Sequence, residues 1–232
     1  HPLLLLSDSA LPLGSFAFSS GLESHLAHTT PHPSLPTFQL FLHHTLTNTA
    51  STSLPYVLAA HQHAPALANL DNDFDASTLC AVARRASISQ GRALLAVWER
   101  AFAGSGAVRD EVAGDVLGEF GRGVKVQAEG LQGHFAPVFG VVCRAMGVGE
   151  GDAAEVFLWG HVRAVLSAGV RAGVVGPYQS QAVLASGVLA GWVKGCVERE
   201  AGKGIEEAGV SVPVLDVWTG RHELLYSRIF NS

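Results

Sequence analysis

An all-α fold, a single-domain helical bundle of roughly eight to ten helices, is what this sequence predicts. Three observations carry the prediction. Apolar residues recur at spacings of three and four along most of the chain. Runs of strict alternation are short, and no Asn-Gly or Asp-Gly hairpin turn occurs. Ser, Asp, Pro and Gly stand at the ends of the apolar runs, where helices start and stop.

At 232 residues the chain is long enough to bury a sizeable core, and residues 1–232 are expected to form one domain. Hydrophobic residues make up 48% and charged residues 15%, so either the core is large or some apolar surface is reserved for partners. A net charge of -5 favours neither nucleic acid nor an acidic membrane as a partner. No apolar run reaches the length of a membrane span, and Leu3 to Leu6 is too short for a secretory segment. The chain opens on His1 rather than Met, as a trimmed chain would. Cys80, Cys143 and Cys196 lie far apart with no C-x-x-C, which argues against a zinc site or a disulfide framework and predicts a cytoplasmic protein.

In chain order, residues 7–23 mix small, turn-forming and aromatic residues without a period. Leu11-Pro12 biases Leu11 to an extended conformation, Gly14 suits a turn, and Phe16 and Phe18 call for burial. Ser20-Gly21-Leu22-Glu23 has the S-x-x-E spacing of a capping box, so a helix is expected from there to about His28, ending before Pro31. Leu35, Phe38, Leu42, Leu46 and Thr49, with Phe41 beside them, form an amphipathic stripe behind Ser34 as N-cap. Residues 55–63 read as a helix with Pro55 in its first turn. Residues 69–75 are acidic and polar and read as a loop and helix start. Leu79, Val82, Ala86, Leu94, Leu95, Trp98 and Phe102 mark a long helix or a broken pair over 76–102.

Residues 104–114 are Gly-rich and charged and read as a flexible connector. A weaker helix is expected over 115–127, and an apolar one over 135–146 with Gly147 as its C-terminal cap. Asp152 starts a helix to about Ala172. Gly176-Pro177 breaks it, and Pro177 starts the next, to about Glu200. A polar loop covers 201–211, and the tail 212–232 is left unclassified by periodicity.

Local chemistry is sparse. Eight of the eleven histidines fall in the first 63 residues. His25 and His28 share a helix face, but no Asp, Glu or Cys joins them at ligand spacing. The pairs His43-His44 and His61/His63 point apart on a helix. Neither a G-x-x-x-x-G-K-[ST] phosphate loop nor a G-x-S-x-G elbow is present.

Several stretches carry a resemblance. Ala10, Leu11, Pro12, Gly14, Phe16, Ser19, Gly21, Leu22 and Glu23 match an opening Ala-Leu-Pro-x-Gly-Gly-Phe-x-x-Ser-x-Gly-Leu-Glu, with Ser15 at the second Gly. Gly133-His134-Phe135-Ala136-Pro137-Val138-Phe139-Gly140 matches Gly-His-x-x-Pro-x-x-Gly. Residues 167–181 present Arg171, a Gly break at Gly176, then Tyr178, Gln179 and Gln181. The end carries His222-Glu223 and then Ser227-Arg228-Ile229-Phe230-Asn231-Ser232, with Ile229 at a usual Leu. Arg84 to Arg92 matches more loosely. Together these resemble the urease accessory protein family UreF.

The resemblance implies an all-helical urease maturation factor without turnover of its own. Such proteins pair with UreD (also called UreH), form a homodimer in the complex, and recruit and regulate the GTPase UreG, which carries nickel to the urease apoprotein. It implies no cofactor held by the chain itself, nickel being handled by the complex, and no catalytic, cofactor-binding or metal-binding residue. Partner contacts are expected at Glu23, His134, Arg171, Tyr178, Gln179, Gln181, Tyr226, Ser227, Arg228 and Phe230. For His134 the residues leave open a structural hydrogen-bonding role. The apolar and aromatic tail from Trp218 is read either as a docking element or as a segment that packs back on the core. The competing readings are a helical metal-dependent enzyme built on the N-terminal histidines and a generic helical scaffold.

Overall fold

The computed structural model describes residues 1–8, 17–29, 34–128 and 130–231. Among them are twelve α-helices and no strand, so the all-α expectation holds. The turn expected around Leu11 to Gly14, and Phe16, lie outside the described residues.

The short α1 (Pro2–Leu6) precedes α2 (Leu22–Thr29). Ser34 caps α3 (Leu35–Thr52) as expected, in a reciprocal box with Thr37: each side chain takes the other residue's backbone N–H. α4 (Leu54–Gln62) carries Pro55 in its first turn. A 3₁₀ turn then leads into α5 (Leu67–Ser77), where a loop start was expected. Leu67, Leu70 and Phe74 fall at spacings of three and four and are buried, and that short stripe outweighs the polar composition of the remaining positions.

α6 (Ala81–Val97) starts later than 76–102 suggested, and Leu79, counted as a core position, stands exposed before it. The helix continues as one π turn, Trp98–Phe102, which keeps both aromatics buried. α7 (Glu111–Lys125) begins inside the expected connector because Asp110 caps it, its Oδ1 accepting from Ala113 N at 3.0 Å. α8 (Phe135–Ala145) ends in a left-handed Gly147, with Val148 N donating to Cys143 O at 2.9 Å. α9 is Glu150–Arg171. The helix expected from Pro177 divides into α10 (Pro177–Leu184) and α11 (Gly187–Glu200), because Ser186 accepts from Leu189 N at 3.2 Å and starts a new helix. The tail forms α12 (Val214–Arg221) and a 3₁₀ turn, His222–Leu224.

α8 is the centre of the bundle. Nine of its residues are buried, so it is apolar all round, and α4, α6 and α7 pack along it. At Gly140 a Cβ would stand 2.2 Å from the Val57 carbonyl, so the close α4–α8 crossing requires glycine there. α3 and α9 lie outside this pair. α11 covers α3, and α12 rests on α2 and α6.

A carboxylate clasp at the chain ends as the candidate interface

The expected capping box at Ser20–Glu23 does not form. Ser20 and Gly21 both take positive φ, 53° and 82°, and α2 starts on Leu22. The Glu23 amide donates to Ser19 Oγ at 3.4 Å, and its carboxylate turns away from its own helix to the C-terminus. Oε1 accepts from Ile229 N at 2.6 Å and Oε2 from Phe230 N at 3.1 Å. Oε2 is also 3.0 Å from His222 Nε2, which must be the donor if the carboxylate is ionised. Chain ends separated by some two hundred residues are thus tied by one side chain. Gly21 permits this approach: a Cβ on it would lie 2.9 Å from Thr219 Oγ1 and 3.1 Å from Thr219 N.

Around the clasp the tail is anchored at two depths. His222 and Phe230 are buried, and Asn231 N donates to Ala17 O at 2.7 Å. The exposed Arg171 guanidinium lies 4.4 Å from the Phe230 ring centroid. Glu223 pairs with Arg85 across to α6, and the Arg85 hydrogen bond and charge hold its carboxyl below the usual range. Arg228 Nη2 donates to Glu223 O at 2.8 Å and Nε to Leu225 O at 3.2 Å. Between these anchors Leu224, Tyr226 and Ile229 stand outward, and Tyr226 is fully exposed. His222 and Phe230 pack back, and Tyr226, Ser227 and Arg228 face solvent.

The other candidates separate. Tyr178 is 92% exposed at the start of α10. Gln179 caps its own helix, its Oε1 accepting from Gly176 N at 3.0 Å, and Gln181 is exposed one turn on. Arg171 joins the tail and not these glutamines.

His134 is fully buried, and this placement corrects its reading as a contact residue, since its side chain has no surface to offer. Its Nε2 is 3.0 Å from Asp75 Oδ1 and its Nδ1 3.1 Å from Ser87 Oγ, while its ring meets Phe74 edge-on at 5.1 Å. With Nε2 protonated toward Asp75, Nδ1 accepts from the Ser87 hydroxyl, which itself accepts from Phe135 N at 3.2 Å. Beneath this lies Asp71, fully buried, whose carboxylate accepts from the backbone N–H groups of Gln132, Gly133 and His134 at 2.6–3.1 Å. Asp71, Asp75 and Ser87 were not site candidates from the sequence, and His222 stood out only as part of the terminal motif. The readable signal for Asp71 is its place four after Leu67 and three before Phe74, on the face of the Leu67/Leu70/Phe74 stripe.

The N-terminal histidines among the described residues do not converge. His25 stacks on Phe41 at 4.9 Å and meets Trp218 edge-on at 5.6 Å. His28 lies 6.0 Å from Trp218, and His43 packs on Trp192 at 4.6 Å. Burial, and then the nearby His44, push His25 and His43 below the ordinary histidine pKa. His61 Nε2 is 2.8 Å from Val148 O. Among the described residues no group of three His, Cys, Asp or Glu side chains is placed to hold a metal ion. No described helix is long and apolar enough to cross a membrane.

The UreF family model matches residues 36–187, well over half of the chain. The chain belongs to the UreF family. A Schizosaccharomyces pombe protein described as an uncharacterized urease accessory protein UreF-like is 35% identical, with 100% of this chain and 97% of that one covered. Urease accessory protein F of Arabidopsis thaliana is 34% identical over 98% of this chain and 90% of its own. Urease accessory protein UreF of Kocuria rhizophila is 29% identical over 99% and 95%. The Schizosaccharomyces pombe relative covers the whole chain, so the clasp, whose residues fall outside 36–187, lies within that aligned length even though the family model stops short of it. Membership in this family makes the protein a urease accessory protein with a non-catalytic role.

Proposed function

We propose that this UreF-family chain pairs with a UreD/UreH-type subunit, dimerises in the complex, and recruits and regulates the GTPase UreG for nickel delivery to apo-urease. The cytoplasm is the compartment this role assigns. Nickel is then the cargo of the assembly and not a resident cofactor of this chain. The observation that carries the reading is the tail: buried His222 and Phe230 fix a segment whose Leu224, Tyr226 and Ile229 point outward. Pre-ordered apolar and aromatic groups beside an arginine are what interface hot spots are made of, and holding them in place before binding lowers the entropic cost of association. Tyr178 and Arg171 extend the candidate surface. Glu23 supports it indirectly by holding Ile229 and Phe230 in position.

The test is co-purification of the full chain with UreD and UreG orthologues, comparing wild type with Tyr226→Asp and Ile229→Asp. Both substitutions are at exposed positions and should leave the fold intact while removing the UreD-type partner from the eluate. Retention of that partner by both folded variants would overturn the placement of the interface. Failure of the wild type to retain either orthologue would overturn the accessory assignment itself.

A further inference from the structure

Between α3, α4, α5, α6, α8, α9 and α12 lies a cavity of about 390 Å³, within the size range of small-molecule sites. Aromatic rings make much of its wall: Tyr56, Phe74, Phe135, Phe139 and Phe157. The hydroxyls that join them are mostly engaged with the protein. Ser77 and Thr78 donate to Phe74 O, Tyr56 donates to Ser77, and Ser87 is held by His134 and Phe135.

Several neutral polar groups on the wall keep hydrogen-bonding capacity, Ser20 Oγ, Thr219 Oγ1 and Asn48 Nδ2 among them, and the two that offer most are Gln90 and His161. Gln90 of α6 has no hydrogen-bond partner for its carboxamide among the described residues, so both its donor and its acceptor remain. His161 of α9 makes one long contact, Nε2 to Thr49 Oγ1 at 3.4 Å, and its other ring nitrogen has no partner among the described residues. Enclosure holds this imidazole neutral, its pKa lowered to about 4. The charged groups among the described lining residues are Asp8, Arg163 and Asp216. Arg163 donates to the Ser7 carbonyl, and burial pushes the Asp216 carboxyl up toward its neutral form. An ion entering this space would lose its hydration against aromatic rings, whereas a neutral flat molecule would stack on them.

We propose that the cavity is a binding site for an uncharged, flat small molecule carrying one hydrogen-bond donor and one acceptor, of which an aromatic carboxamide is the simplest case, with Gln90 and His161 as its polar contacts. This goes beyond the accessory role and does not depend on it. The walls include Leu215 and Thr219 of α12, so occupancy would brace the helix that leads into the tail.

Three isosteric probes separate the chemistry: benzamide, benzoate and benzamidinium, titrated into the full chain with ligand-observed NMR. Benzamide should bind saturably, and about tenfold or more tighter than either ion, since each ion pays desolvation that the amide does not. Gln90→Leu should weaken benzamide several-fold while leaving the melting temperature of the unliganded protein near wild type. Ala164→Phe, which fills the cavity from α9, should abolish binding. If the filled variant fails to fold, Gln90→Leu decides. The proposal is overturned by no saturable benzamide binding, by equal affinity for all three probes, or by wild-type binding in the folded variants.

Discussion

His134 and His222 are both fully buried, and each has its Nε2 3.0 Å from a carboxylate oxygen, yet they sit in different kinds of structure. His134 uses both ring nitrogens, on Asp75 and Ser87, inside helices that pack on the central α8. His222 uses one. Its Nδ1 is buried without a partner among the described residues, and the carboxylate it faces also carries the last backbone turns of the tail. Each buried polar group left unpaired costs about 1–3 kcal/mol. The His134 side has one as well, Arg84 Nε, which lies 3.3 Å from the same Asp75 Oδ1 without a hydrogen bond, so the two sites differ in what the carboxylate holds: helices of the bundle in one case, the last backbone of the tail in the other. The comparison therefore separates what builds the fold from what is laid on it, although both sites are built on the same His–carboxylate contact.

Breaking the first network should have the largest effect. Asp71→Ala leaves three buried amides without their acceptor and should cost on the order of 3–5 kcal/mol, read as a lower urea midpoint with an unchanged slope. A loss below about 1 kcal/mol would mean that the 132–134 loop is not held by this carboxylate.

Acid should act next. The folded-state pKa values of His25, His43 and His161 lie below the ordinary 6.5, that of His161 at about 4. The unfolded chain binds protons first, so the stability these groups confer is complete above pH 6.5 and is lost as pH falls. For His161 alone the slope approaches about 1.4 kcal/mol per pH unit between its unfolded and folded values. His161→Gln should flatten the stability profile between pH 6.5 and 4, and an unchanged slope would contradict the neutral, enclosed imidazole.

Breaking the second network should be local. Glu23→Gln replaces an acceptor oxygen with a donor facing the tail amides or His222. It should cost about 1–2 kcal/mol at most, with faster hydrogen exchange at Ile229 and Phe230 and unchanged protection in α8. Loss of α8 protection would show that the clasp belongs to the core after all. The smallest effect is expected at Tyr226: Tyr226→Ala should leave stability within about 0.5 kcal/mol, so any loss of partner binding reports the interface alone.

The helices whose apolar stripes run three turns or more were legible in the sequence: α3 with its Ser34 cap, α8 with Gly147, and α9 before Gly176. Two others were not, and α7 was legible except for its start. α5 hides a two-turn stripe under five acidic or amide residues. α7 starts on an Asp110 cap inside a Gly-rich run. The tail helix α12 is too short for periodicity to register. The site was legible by type and not by arrangement. Glu23 and the tail both stood out, one as a helix cap and the other as an apolar terminus, but nothing local to either announces that they meet. Ser20 and Glu23 satisfied a capping pattern that the backbone declined, because two positive φ values at Ser20 and Gly21 aim the chain end at Thr219.

Composition and spacing by themselves determined the fold class, the central apolar helix, the absence of phosphate-loop and nucleophile-elbow motifs, and, through motif resemblance, the family. These properties depend on residues close together in the chain, where helical periodicity and capping act. The tertiary structure alone decided which polar groups pair. Asp71 with the 132–134 amides, His134 with Asp75 and Ser87, and Glu23 with His222 and the tail join residues about 50 to 200 positions apart. A buried carboxylate takes whichever donors the packing of the apolar faces brings within reach, and that choice is made only when the whole bundle has closed.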